Sequence, residues 1–127
     1  MASSINPGSR ILVTGGAGYV GSALVPLLLK NGYKVRVLDM LRSGGQGLLP
    51  CFSEKDFEFV KGDVRDRKIV EAPMKDVDAV IHLAGIVGFP ACRKDPELSR
   101  SINVEGTKVL VDVAGGRVPI LFASTGS

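Results

Sequence analysis

The chain has 127 residues, 45% hydrophobic and 23% charged, which suits one globular domain with a core of its own. The net charge of +3 comes from 16 basic and 13 acidic residues. The basic ones, among them Arg36, Arg42 and the group Arg65, Arg67 and Lys68, form no long run, so no nucleic-acid-binding motif is present. Cys51, Cys92 and the single His82 do not make a zinc-ligand set, and no metal is expected; the cysteines read as free thiols in a reducing compartment.

Met1 to Ser9 is polar and has no signal-peptide core, and no run approaches the ~20 apolar residues of a membrane helix. The expected location is the cytoplasm, without a membrane partner. Arg10 to Thr14 predicts the first strand. Immediately after it, Gly15, Gly18 and Gly21 are spaced G-x-x-G-x-x-G. Gly15 would let the chain turn sharply out of the strand. Gly18 would let backbone approach a pyrophosphate, and Gly21 would let the next helix pack closely on the strand. A helix starting here points free N–H groups and its positive dipole end at phosphate. An ordinary strand-to-helix turn is the plainer alternative.

That helix is predicted over Val20 to Asn31 from its apolar positions Val20, Leu24, Leu27 and Leu28; Pro26 should bend or open it, and Gly32 fits a C-cap. Lys34 to Leu38 predicts the second strand, ending at Asp39. An acid about 20 residues beyond such glycines can accept hydrogen bonds from both ribose hydroxyls of an adenosine. Leu41 to Glu54, rich in Gly, Ser and Pro, reads as a mobile loop. Phe57 to Lys61 is the third strand, followed by Gly62-Asp63-Val64-Arg65-Asp66, and Arg67 to Met74 is a short, weak helix with Pro73 near its end. Ala79 to Leu83 is the fourth strand, apolar without alternation, as in a strand covered on both faces. Glu97 to Ala114 is the longest helix, terminated by Gly115 and Gly116, and Pro119 to Ala123 is the fifth strand. Strands and helices in alternation imply an α/β fold: a Rossmann-type, doubly wound parallel sheet with right-handed crossovers.

In such a sheet ligands bind beyond the carboxyl ends of the strands. Asp63 is suited to accept from an adenine amino group with the Val64 N–H beside it, or it is a turn or N-cap aspartate for the helix that follows. Ala84-Gly85 offers a bare surface for a cofactor ring or ribose, or is a plain turn. His82 reads as a packed, hydrogen-bonded core residue. Asn103 and Gly106 inside a helix cost stability, which suggests a packing or polar role there. Ser124, Thr125 and Ser127 read as helix-capping hydroxyls, with a substrate contact as the alternative.

Taken together these residues resemble the extended short-chain dehydrogenase/reductases, the NAD-dependent sugar-nucleotide epimerases and dehydratases. The match runs from Ile11 to Ser127 through V-T-G-G-A-G-Y-V-G-S, L-D-M-L, G-D-V-R-D, H-L-A-G, N-V-E-G-T and F-A-S-T-G-S. The resemblance implies NAD as cofactor, backbone contacts to its pyrophosphate from Tyr19 and Val20, and a ribose bordered by Asp39 and Met40. It implies that Leu83, Ala84, Gly85 and Ile86 lie along the cofactor, that Asn103 supports it, and that Thr125 is the catalytic hydroxyl. Asp39 would repel the 2′-phosphate of NADP, although Arg36 and Arg42 stand close to it in sequence.

The family's catalytic tyrosine is followed four residues later by lysine. Here Tyr19 and Tyr33 are followed at that distance by Ala23 and Val37, so no Y-x-x-x-K occurs. The chain therefore reads as one NAD-binding domain over 1–127, truncated after about five strands, without the catalytic tyrosine segment or the substrate lobe. The expected parent is an enzyme oxidising a hydroxyl of a nucleotide sugar, with little turnover left in this piece. A stand-alone dinucleotide-binding module or partner subunit, and a reductase of a non-sugar carbonyl, are the alternatives. A sheet cut after its fifth strand leaves an open edge, so self-association is expected.

Overall fold

A computed structural model describes residues 5–16, 19–41, 46–83, 97 and 104–122. The strands are β1 (Arg10–Thr14), β2 (Lys34–Asp39), β3 (Phe57–Lys61), β4 (Ala79–His82) and β5 (Ile120–Phe122). The helices are α1 (Tyr19–Lys30), α2 (Arg67–Glu71) and α3 (Gly106–Ala114), with a 3₁₀ helix over Gln46–Ser53. All pairings are parallel and the spatial order is β3-β2-β1-β4-β5. The chain moves outward from β1 to β3, then returns to the other side of β1. That reversal places a topological switch point between β1 and β4, where the crevice of a doubly wound sheet opens.

Both faces of the sheet are covered, which is why its central strands are apolar without alternation. Successive residues of β1 point to opposite faces. Ile11 and Val13 join Val25 of α1 and Leu48 of the 3₁₀ helix on one side, while Leu12 joins Val70 of α2 and Leu110 of α3 on the other. Each of these seven is at most 3% exposed.

The structure refines three of these expectations. The inward stripe of α1 is Gly21 and Val25, buried, with Leu28 and Leu29 partly buried against the core, while Val20 and Leu27 are 58% and 56% exposed. The helix also runs unbroken through Pro26, which lies on its exposed side, where a missing backbone bond is best tolerated. The expected mobile loop contains the 3₁₀ helix. With three residues per turn, Leu48 and Cys51 fall on one ridge and are buried against the core, while Leu49 and Phe52 fall on the next and face water.

Of the segment expected as the longest helix, Glu97 is helical, and a wide, π-type turn at Val104 and Glu105 leads into α3. Gly106 earns its place by packing: a Cβ there would lie 2.5 Å from Val64 Cγ2. Gly115 caps α3 in the left-handed conformation, its N–H donating to the Val111 carbonyl.

Candidate functional site

The carboxyl ends of four strands are stitched into one edge by backbone bonds. Gly62 N–H donates to the Asp39 carbonyl at 3.0 Å, Gly15 N–H to Leu38 at 2.8 Å, and Leu83 N–H to Thr14 at 2.8 Å. The register places Thr14 opposite both Leu38 and His82, so Gly15, Asp39 and Leu83 lie level along that edge.

Gly15 leaves β1 at φ +74°, a conformation that a side chain would strain, and turns the chain toward α1. Gly21, in the first turn of α1, lies directly on Gly16: a Cβ on Gly21 would fall 2.4 Å from the Gly16 carbonyl oxygen. Gly16 is itself buried, and a Cβ there would meet the Val37 methyls at 2.8 Å. Helix α1 thus rests backbone to backbone on Gly16, and Gly16 in turn sits against the Val37 side chain of β2. Gly16 was not singled out in the sequence, although its pairing with Gly15 was a visible signal. Tyr19 opens α1 and Val20 follows, its side chain directed to water, so a contribution from Val20 would come through its backbone.

Asp39 closes β2, and its Oδ1 accepts the Leu41 N–H at 2.6 Å. This turn fixes the half-buried carboxylate at the strand end, with Met40 half-buried beside it. Leu41 takes φ +60°, a strained value for a branched side chain, next to this position. Asp63, past the end of β3, accepts the Arg65 backbone N–H at 2.9 Å and is gripped by the Arg65 guanidinium. That hydrogen bonding holds the Asp63 carboxyl below its ordinary pKa, against a partial burial that raises it. The cap of α2 is Asp66, which accepts from the Lys68 and Ile69 N–H groups, so the N-cap alternative does not apply to Asp63 and the turn alternative does. Val64 is buried beneath α3, and Leu83 is half-buried after β4.

His82 is the packed residue its position suggested, 5% exposed. Its Nδ1 is 2.6 Å from Thr14 Oγ1, its Nε2 is 3.0 Å from Thr107 Oγ1, and the Phe122 ring meets it edge-on. Burial pushes its pKa down and keeps the imidazole neutral, so one ring nitrogen donates and the other accepts. Thr107 was visible in the sequence only as part of N-V-E-G-T. Arg36 is turned away from any phosphate role near Asp39: it donates to the Pro73 and Lys75 carbonyls and to Glu58. Gly18, Arg42, Ala84, Gly85, Ile86, Asn103, Ser124, Thr125 and Ser127 lie outside the described residues. Cys51 is buried, and desolvation together with Glu54 pushes its thiol pKa up.

A dinucleotide fits what is described. The glycines let α1 pack closely at the end of β1, so a helix starts at the strand end, and a fixed carboxylate stands at the end of the neighbouring strand. Five parallel strands with the glycine turn at the switch point define a Rossmann-type α/β fold. The chain belongs to the NAD dependent epimerase/dehydratase family, whose model matches residues 11–127.

A UDP-glucose 4-epimerase of Neisseria meningitidis serogroup B is 35% identical over 123 residues, covering 91% of this chain and 36% of that protein. A UDP-glucose 4-epimerase of Klebsiella pneumoniae is 33% identical, covering 91% of this chain and 88% of that sequence. Among solved structures, the epimerase Mth375 of Methanothermobacter thermautotrophicus superposes with a TM-score of 0.85 at 34% identity, over 94% of this chain and 36% of that one. DesIV of Streptomyces venezuelae, a dTDP-glucose 4,6-dehydratase solved with NAD bound, superposes with a TM-score of 0.77 at 34% identity, over 83% and 35%. The chain thus spans little more than a third of the Neisseria, Mth375 and DesIV proteins. Among the described residues no helix is long and apolar enough to cross a membrane.

Proposed function

We propose that this chain is the NAD-binding portion, over 1–127, of a nucleotide-sugar epimerase or dehydratase whose reaction opens with oxidation of a sugar hydroxyl. The observation that carries the reading is the contact of Gly21 on Gly16 beside the left-handed Gly15, at the switch point, with Asp39 held at the end of β2. The family match and the NAD-bound DesIV support the choice of ligand.

In this reading the glycines Gly15, Gly18 and Gly21 let the backbone admit the pyrophosphate, with N–H groups from Tyr19 and Val20 donating to it. Asp39 accepts from the ribose hydroxyls, with Met40 alongside. Asp63 accepts from the adenine amino group and the Val64 N–H donates to the ring. Leu83, Ala84, Gly85 and Ile86 border the remainder, Asn103 supports it, and Thr125 orients the sugar hydroxyl. Bound NAD⁺ supplies the hydride acceptor. The residues of this chain contribute binding and orientation, not proton transfer, for which Y-x-x-x-K is missing. General acid–base catalysis is typically worth about 10²–10⁴-fold, so this chain alone turns over little substrate.

NAD is preferred over NADP because a 2′-phosphate would meet the Asp39 carboxylate, and Arg36 is committed to the Pro73 and Lys75 carbonyls. Calorimetric titration of the chain with both dinucleotides tests this. Saturable NAD binding with weaker NADP binding is expected; tighter binding of NADP would remove the role given to Asp39, and binding of neither would end the proposal.

A further inference from the structure

We propose that Arg65 is a positioning residue that aims the Asp63 carboxylate and thereby sets the choice between adenine and a deaminated purine; this rests on the NAD-binding reading above. Asp63 Oδ1 accepts the Arg65 backbone N–H at 2.9 Å and the Nε–H at 3.0 Å, and Oδ2 accepts the same Nε at 3.0 Å and Nη2 at 2.5 Å. A carboxylate offers about four acceptor positions. The Nε–H is one proton shared between both oxygens, so the backbone N–H and the two guanidinium nitrogens supply three donors; they fix the plane of the group and leave room for one further N–H.

The pair is partly exposed, with the side chains of Arg65 and Asp63 at 30% and 27%. Such pairs contribute little to stability. What the fork supplies is geometry, because a guanidinium binds both carboxylate oxygens at once and an ammonium does not. It also keeps Asp63 ionised, and so an acceptor only. An acceptor-only group in a fixed direction takes the amino group of adenine and rejects hypoxanthine, whose carbonyl oxygen at the same position would face the carboxylate.

The test measures affinity of the chain for NAD and for nicotinamide hypoxanthine dinucleotide, in the original sequence and in Arg65→Met and Arg65→Lys. A charge-assisted hydrogen bond predicts about tenfold or greater preference for NAD in the original chain. Both variants should keep their unfolding temperature and lose a large part of that preference, about threefold or more, mainly through weaker NAD binding. Variants that weaken both dinucleotides equally, or leave the preference intact, overturn the role of Arg65 while the NAD reading stands. A chain that binds neither dinucleotide overturns both. Asp63→Asn, whose amide can donate to the hypoxanthine oxygen, should abolish or invert the preference; an undiminished preference there would show that Asp63 does not read the base, and Arg65 would have nothing to position.

Discussion

At the scale of single residues, the most constrained atom is the missing Cβ of Gly21. Alanine there would place a methyl 2.4 Å from a backbone oxygen, and backbone cannot swing aside as a flexible side chain can. Gly21→Ala should cost about 1–3 kcal/mol, read as a fall of several degrees in unfolding temperature, and should lower NAD affinity because α1 must lift off the turn. His82 makes a second prediction. Its folded-state pKa lies below the ordinary 6.5, so unfolding exposes a ring that takes up protons more readily than the buried one. The stability it contributes is complete above that value and is lost as the pH falls below it. The urea midpoint should be level above about pH 7 and decline below 6.5, and His82→Gln, with no proton to gain, should be less stable and lack that decline. Asp63 behaves likewise only further into acid, below its ordinary 3.8. Gly15, Gly21, Asp39 and His82 were legible in the sequence because strain, close approach, charge at a strand end and burial each demand a residue type. The Arg65 grip and the Thr107 partner were not, because they depend on how side chains meet after folding.

At the scale of elements, every strand and α-helix among the described residues was legible in type and order, because a two-faced parallel sheet writes its strands as apolar runs between glycine-rich turns. What was not legible was which side of a nearly all-apolar helix faces inward. The segment Val20 to Leu29 carries apolar residues all round, so periodicity alone could not distinguish Leu27 from Val25. The sheet decides: Val25 is fully buried and Leu27 is 56% exposed. Val25→Ala should destabilise by about 2 kcal/mol, from lost burial and an unfilled cavity, and Leu27→Ala by less than about 0.5 kcal/mol. Paired urea titrations check this, and equal losses would contradict the assigned face. The 3₁₀ helix was hidden for a different reason. Its composition is that of a loop, and only the spacing of Leu48 and Cys51 marks it as core.

At the scale of the whole molecule, β5 pairs among the described residues with β4 alone, and Leu121 and Phe122 on it are 65% and 47% exposed. An open apolar edge is a template for another strand. The chain is therefore expected to self-associate as concentration rises, and sedimentation velocity should show Leu121→Lys shifting it toward monomer; a chain that stays monomeric at millimolar concentration would contradict this. The opposite edge, β3, exposes Glu58 and Lys61 and is less inviting. The central claim concerns the other boundary of the sheet, the row of carboxyl ends where Gly15, Asp39 and Leu83 lie level. A crystal structure of the chain grown with NAD tests it most directly. The expected result is pyrophosphate against the Gly15 to Gly21 turn and the adenosine ribose within hydrogen-bonding distance of Asp39. A dinucleotide seated elsewhere, or a turn that admits none at saturating NAD, would contradict it.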